Sequence, residues 1–151
     1  MPDSRDPTGA ATVEFDPARP ASFPFWTRDV LRWGDTDALG HINNVEFARF
    51  FESGRIAYLS AAGVRGIDAD DFLLAHLAID FHAQMHYPGE VRTGTRVIRI
   101  GRSSVRFAQA LFQDDLCTAS GVAVAVMAGR DTGQAKPVPE DMRARLLDPG
   151  A

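Results

Sequence analysis

The 151 residues include a single cysteine, Cys117. A disulfide within the chain is therefore excluded, and a cysteine-based zinc centre has no ligand set. Long apolar runs are missing too. The longest, around residues 122–128, is far shorter than the roughly 20 residues of a bilayer-crossing helix. The opening Met1-Pro2-Asp3-Ser4-Arg5-Asp6 is polar and holds no apolar stretch of the signal-peptide kind. Nor is there an excess of positive charge: 16 Lys and Arg stand against 20 Asp and Glu, a net −4 that gives no footprint for nucleic acid. Gly-x-Ser-x-Gly elbows, phosphate loops, dinucleotide fingerprints and His-Glu-x-x-His are all absent, which argues against the common serine hydrolases, nucleotide enzymes and zinc peptidases. The expectation is a cytoplasmic protein without membrane or nucleic-acid partners, with Cys117 a small buried residue on a strand.

Apolar residues make up 45% of the chain and charged residues 24%, the balance of one globular domain. Five of the nine prolines, Pro2, Pro7, Pro17, Pro20 and Pro24, fall in the first 24 residues, so residues 1–24 are expected to form a flexible arm ahead of a domain at 25–151. Residues 26–33 suit a first strand. Residues 45–61 read as a long helix with Phe47, Phe50, Phe51, Gly54 and Tyr58 on one face. Glu46–Arg49 and Glu52–Arg55 are spaced for surface ion pairs, and Ala62-Gly63 ends the helix. From Leu73 to Met85 apolar and polar residues alternate, the period of a strand. Further strands are expected at 91–101, 104–113 and 117–128, with Asp114-Asp115 as a turn and residues 122–127 covered on both sides. A short helix at 141–147 closes the chain. One amphipathic helix against one curved antiparallel sheet is a two-layer α+β solution.

The chemistry concentrates in Gly34-Asp35-Thr36-Asp37-Ala38-Leu39-Gly40-His41-Ile42-Asn43-Asn44-Val45-Glu46. Two carboxylates stand two residues apart just before the helix. Asn43 suits the N-cap, Glu46 completes a capping-box pattern, and Asn44 then opens the helix with an unpaired N–H. A thioester carbonyl over that amide would be polarised, and a nearby carboxylate would attack it or activate a water. Gly40 lets backbone approach without a side chain in the way. Asp-x-Asp before a helix is equally a turn and capping device, so spacing alone leaves both readings open.

The segment 32–55, Arg-Trp-Gly-Asp-Thr-Asp-Ala-Leu-Gly-His-Ile-Asn-Asn-Val-Glu-Phe-Ala-Arg-Phe-Phe-Glu-Ser-Gly-Arg, resembles the signature of the 4-hydroxybenzoyl-CoA thioesterase family. The resemblance continues through Asp80-Phe81, Tyr87-Pro88-Gly89-Glu90, Gly101-Arg102-Ser103-Ser104 and residues 133–139, and covers roughly 27–147. It implies a hotdog fold, a central helix wrapped by an antiparallel sheet, acting without metal or redox cofactor on an acyl-CoA substrate. Homodimers or homotetramers pair sheets edge to edge, with active sites at the subunit boundary. The family's catalytic aspartate falls on Asp37 and its carbonyl-polarising amide on Asn44. Asp35 then looks structural, and His41 flanks the site. The family grips coenzyme A phosphates with basic residues at a position that here reads Gly101-Arg102-Ser103. Only Arg102 keeps the charge there, with Arg92, Arg96, Arg99 and Arg106 nearby to compensate where they converge.

His76, His82 and His86 share one strand face with Asp80, but about 13 Å between His82 and His86 is too far for one ion. Two rival functions remain. A hotdog hydratase or dehydratase would use a histidine and a carboxylate, with His41 and Glu52 the pair available. A non-catalytic acyl-CoA binding protein would use the same pocket without turnover.

Overall fold

The 18 residues Asn44–Ala61 form the one long helix, α1, of a computed structural model that describes residues 15–64 and 70–150. Its aromatic stripe is buried as the 3.6-residue period requires: Phe47, Phe50, Phe51, Gly54 and Tyr58 all face the core. The N-terminal end of α1 packs with Leu31, Ile42, Met85, Val91 and Leu111, and its C-terminal end with Val105, Phe107, Ala123 and Leu146. Gly63, at φ +69°, supplies the left-handed residue beyond the end of α1.

Five strands form one antiparallel sheet: β1 (Phe25–Val30), β2 (Asp70–Phe81), β3 (Glu90–Ile100), β4 (Ser104–Gln113) and β5 (Leu116–Gly129). Their spatial order is β1-β3-β4-β5-β2. The chain therefore crosses the whole sheet between β1 and β2, through α1, and leaves β2 at an edge. Asp114 and Asp115 take φ of 48° and 68°, the two-residue turn joining β4 to β5. A second helix, α2 (Glu140–Leu147), is tied to the core by Tyr58, whose hydroxyl donates to the Leu146 carbonyl at 2.7 Å. No helix among the described residues is long and apolar enough to cross a membrane. The helix-on-sheet α+β arrangement is the hotdog architecture that the resemblance implies.

Three local expectations need correction. The alternation read from Leu73 to Met85 is broken by a register shift between Leu74 and His76. The extra residue, Ala75, reverses parity, so Phe72 and Leu77 both face the core although they are five positions apart. The strand also ends at Phe81 rather than running to Met85. Second, residues 122–127 are not covered on both sides. Ala123, Ala125 and Met127 are buried under α1, while Val122, Val124 and Val126 are only half-buried on the outer face. Third, Glu52 and Arg55 form no surface ion pair. Arg55 turns inward, 6% exposed, and donates to Gln109 Oε1 at 3.0 Å, whereas Glu46 and Arg49 do pair at 3.4 Å.

Residues 16–23 lie against the outer face of the sheet. Phe23 is buried, with its ring 5.8 Å from Trp26 and 6.5 Å from Phe112. A Cβ on Gly94 would stand 2.6 Å from the Phe23 ring, so the close seat of this segment needs glycine there. Residues 1–14 of the expected arm lie outside the described residues.

Candidate active site

The loop between β1 and α1 is closed by its own polar groups. Trp33–Asp35 makes a single 3-10 turn, in which Asp35 Oδ2 accepts the Arg32 N–H at 2.8 Å. The Asp35 carbonyl accepts the Asn43 N–H at 2.8 Å and so clamps both ends of the loop. Within the clamp the Asp37 N–H donates to the His41 carbonyl at 2.8 Å, and the Gly40 N–H to the Asp37 carbonyl at 3.0 Å. Gly40 sits at φ +80°, which favours glycine at the tip. Asp37 Oδ1 accepts the Leu39 N–H at 2.9 Å and the His41 N–H at 3.4 Å. Oδ2 has no partner among the described residues.

Asn43 caps α1, its side chain accepting the Val45 N–H at 3.1 Å. The capping box is incomplete. Glu46 turns to Arg49, and the Asn43 N–H it was expected to accept is held instead by Asp35. Asn44 is the first helical residue, and its N–H has no acceptor among the described residues. It is one of the exposed amides at the positive end of the helix dipole.

Asp37 and Asn44 line the same cavity, of about 360 Å³. His41 stands beside them, Phe47 and Phe81 form an apolar wall with rings 5.2 Å apart, and His82, Ala83 and Gln84 add to the lining. The Ile42 N–H donates to the Met85 carbonyl at 2.8 Å and ties the loop to the segment after β2. His41 stacks edge-on against His86 at 5.2 Å, so His86 belongs to the loop's surroundings and not to an extended strand with His82. Among the described residues no group of three or more His, Cys, Asp or Glu gathers to hold a metal ion.

The structure thus brings together Asp37, His41 and Asn44. Gly40 shapes their loop without lining the cavity. Arg102 and Ser103 sit in the β3–β4 hairpin, pinned by Arg143, which donates to the Gly101 carbonyl at 2.6 Å. Ser104 pairs with Val126 and Phe81 with Ala119, so hairpin and cavity are seven residues of β5 apart, about 23 Å. Of the other arginines, Arg92 pairs with Asp115 at 2.8 Å and Arg96 lies over the Phe15 ring. Arg99 and Arg106 face one another across β3 and β4 on the outer face, next to the hairpin. Glu52 is exposed and outside the cavity, so it does not join His41. Phe81 and His82 were not singled out as site residues by sequence reasoning. Their position at the end of an alternating strand marks a strand terminus, but nothing in it shows which loop faces them.

Residues 31–146 match the thioesterase-like superfamily, and the chain belongs to it. It is an enzyme of the thioesterase class with the hotdog fold. Among solved structures, the PA5185 protein of Pseudomonas aeruginosa is 28% identical, with a TM-score of 0.78 over 85% of this chain and 93% of that one. A Thermus thermophilus thioesterase, solved in complex with coenzyme A and zinc, is 29% identical, with a TM-score of 0.73 over 82% of this chain and 98% of that one. The Bacillus subtilis protein YsmA is 25% identical over 129 residues, covering 83% of this chain and 87% of its own.

Proposed function

We propose that the protein hydrolyses an acyl-CoA thioester to the free acid and coenzyme A. The observation that carries this is the shared cavity: Asp37 and Asn44, the residue that opens α1 with an unpaired N–H, line one space with an apolar wall. A thioester oxygen directed at Asn44 gains a hydrogen bond and the helix dipole as charge develops on it. Oδ2 of Asp37, the oxygen the loop leaves free, attacks the carbonyl carbon or takes a proton from an attacking water. Ile42, Phe47 and Phe81 shield the acyl group from water.

The nucleotide end needs a second copy of the chain. β2 is an edge strand of 12 residues with Leu73, Leu74 and Phe81 at least half exposed. A free edge of that length and composition invites pairing. Two-fold antiparallel pairing of β2 with its copy sets the Asp70 end of one strand beside the Phe81 end of the other. The second copy's hairpin then lies three strand spacings, about 14 Å, from this cavity. Its Arg102, with Arg99 and Arg106 beside it, presents guanidinium groups suited to phosphates, and Ser103 adds a hydroxyl. Coenzyme A bound to the Thermus relative supports the same ligand here. Pairing of two such dimers gives the homotetramer. The hydratase alternative loses its expected pair of His41 and Glu52, because Glu52 stands outside the cavity.

The test is a thiol-release screen across aliphatic and aromatic acyl-CoAs, with sedimentation to measure the oligomer. Release of free thiol by the wild-type protein, lost in Asp37→Asn, is the expected result. Tight acyl-CoA binding without thiol release would instead make this a binding protein.

A further inference from the structure

The carbonyls of the β3–β4 hairpin are all engaged by the protein itself, and its amides are not. The Gly101 carbonyl accepts Arg143 Nη2 at 2.6 Å. The Arg102 carbonyl accepts the Val138 N–H at 2.8 Å and the same Nη2 at 3.3 Å. The Ser103 carbonyl accepts the Met127 N–H at 2.8 Å. By contrast, the N–H groups of Arg102 and Ser103 have no acceptor among the described residues.

A two-residue turn is ordinarily closed by the Ser104 N–H donating to the Gly101 carbonyl. Here that bond is missing, although its counterpart, from the Gly101 N–H to the Ser104 carbonyl, is made at 2.7 Å. Nor does β5 take the Ser104 N–H. With the Met127 N–H bonded to the Ser103 carbonyl, Ser104 and Val126 face each other as a pair without direct hydrogen bonds. The Ser104 N–H therefore turns towards the hairpin. Arg143 occupies the acceptor that would close the turn, and three successive N–H groups are left open.

Arg143 is itself fixed. It projects from α2, whose Leu146 is fully buried and whose Leu146 carbonyl accepts the Tyr58 hydroxyl at 2.7 Å. Its Nε donates to the Val138 carbonyl at 3.2 Å, so one planar guanidinium joins the hairpin to the segment before α2. Its ion pair with Glu140 is looser, at 3.8 Å from a carboxylate that is 95% exposed, and contributes little.

We propose that Arg143 is a positioning residue for coenzyme A: by taking the Gly101 carbonyl it holds the hairpin open, so that the N–H groups of Arg102, Ser103 and Ser104 meet the phosphates. The proposal rests on the acyl-CoA reading above, in which this hairpin serves the cavity of a second copy. Successive backbone N–H groups form an anion-binding concavity, and donors fixed in place need no rearrangement when a phosphate arrives. Backbone thereby reinforces the single charge of Arg102, beside Arg99 and Arg106 on the outer face. Arg143 acts through the turn, because its Nε and Nη2 are committed to carbonyls.

The experiment compares wild type, Arg143→Met and Arg143→Lys on two substrates with the same acyl group. One is the acyl-CoA, and the other is the S-acyl-pantetheine, which lacks every phosphate. Arg143→Met raises the acyl-CoA KM about tenfold, the effect of losing one hydrogen bond to a charged group, and leaves kcat unchanged. Its acyl-pantetheine KM stays at the wild-type value. Arg143→Lys, whose single ammonium cannot join both Gly101 and Val138, shows the same split at smaller size. Melting temperatures report folding, and should Arg143→Met not fold, Arg143→Lys is read by the same criterion. The proposal is overturned if the acyl-CoA KM of the folded variants stays at the wild-type value, or if the acyl-pantetheine KM rises with it. Failure of the underlying reading looks different: the wild type then releases no thiol from any acyl-CoA, or takes both substrates with one KM.

Discussion

Asp37 Oδ1 accepts the Leu39 N–H at 2.9 Å, so one oxygen of this carboxylate holds its own loop while the other has no partner among the described residues. The proposed mechanism thus divides structural and chemical duties between two atoms of one side chain. Isosteric and truncating substitutions should separate them.

Asp37→Asn keeps an oxygen at the Oδ1 position and with it the Leu39 hydrogen bond. Turnover is expected to fall about 10²-fold or more, with a melting temperature close to wild type. Asp37→Ala loses both duties and should cost about 1 kcal/mol of stability besides. Thermal unfolding beside thiol release checks this. Equal melting temperatures for the two variants would show that the loop does not depend on Oδ1.

Gly54 lies where α1 comes closest to the sheet. A Cβ there would meet Thr93 Cγ2 at 2.7 Å, Gln109 Nε2 at 2.9 Å and Thr95 Oγ1 at 3.0 Å. Alanine is favoured over glycine in a helix by about 1 kcal/mol, but these neighbours are two stiff threonines and a glutamine already committed to hydrogen bonds. Overpacking of this kind costs about 1–3 kcal/mol. Gly54→Ala is therefore expected to lower the urea midpoint, and a raised midpoint would show that the sheet yields.

Gln109 joins that same contact to a buried cation. It accepts from Arg55 Nη1 at 3.0 Å and donates to the Phe51 carbonyl and to Thr95 Oγ1, both at 2.9 Å. Burial pushes the Arg55 guanidinium below its usual value, partly offset by the charge of Glu52. Gln109→Leu preserves volume but strands three polar groups at once. The expected loss is about 3–5 kcal/mol by denaturant unfolding, the range for removing one partner of a buried charge. A loss under about 1 kcal/mol would mean that water reaches Arg55.

The sequence makes α1 legible because its aromatic stripe and its Asn43 cap are local signals, each set within a few residues. Asp37 and Asn44 come together for the same reason, one loop apart. What stays hidden depends on distant partners. The i,i+3 spacing of Glu52 and Arg55 says that they are neighbours, not that Gln109, 54 residues away, draws Arg55 inward. The bulge at Ala75 adds one small residue to an alternating pattern without changing its composition, so parity is lost only when β5 is seen opposite. The strand order, with β2 carried to the edge beside β5, is set by pairings more than 30 residues apart. His82 reads as one polar residue among several on a strand until Ser120, 38 residues on, fixes its ring.

Asp29 gives the fold a pH dependence opposite to that of a salt-bridged carboxylate. Its Oδ2 is buried without a hydrogen-bond partner, close to Thr27 and Thr93, whose hydroxyls are also unpartnered. Desolvation raises its pKa above the ordinary 3.8, against a smaller lowering by Arg32. The folded state therefore holds this proton more tightly than the unfolded chain does. Its contribution favours folding below pH 3.8 and is lost as pH rises through the folded pKa, leaving a charge buried at a cost at neutral pH. Asp29→Asn removes the charge and keeps the shape. At pH 7 it should melt higher than wild type, and the difference should shrink steadily toward pH 3.8. Melting curves of both proteins across that range decide it: a variant less stable at pH 7 would mean that the ionised carboxylate is held by a favourable partner.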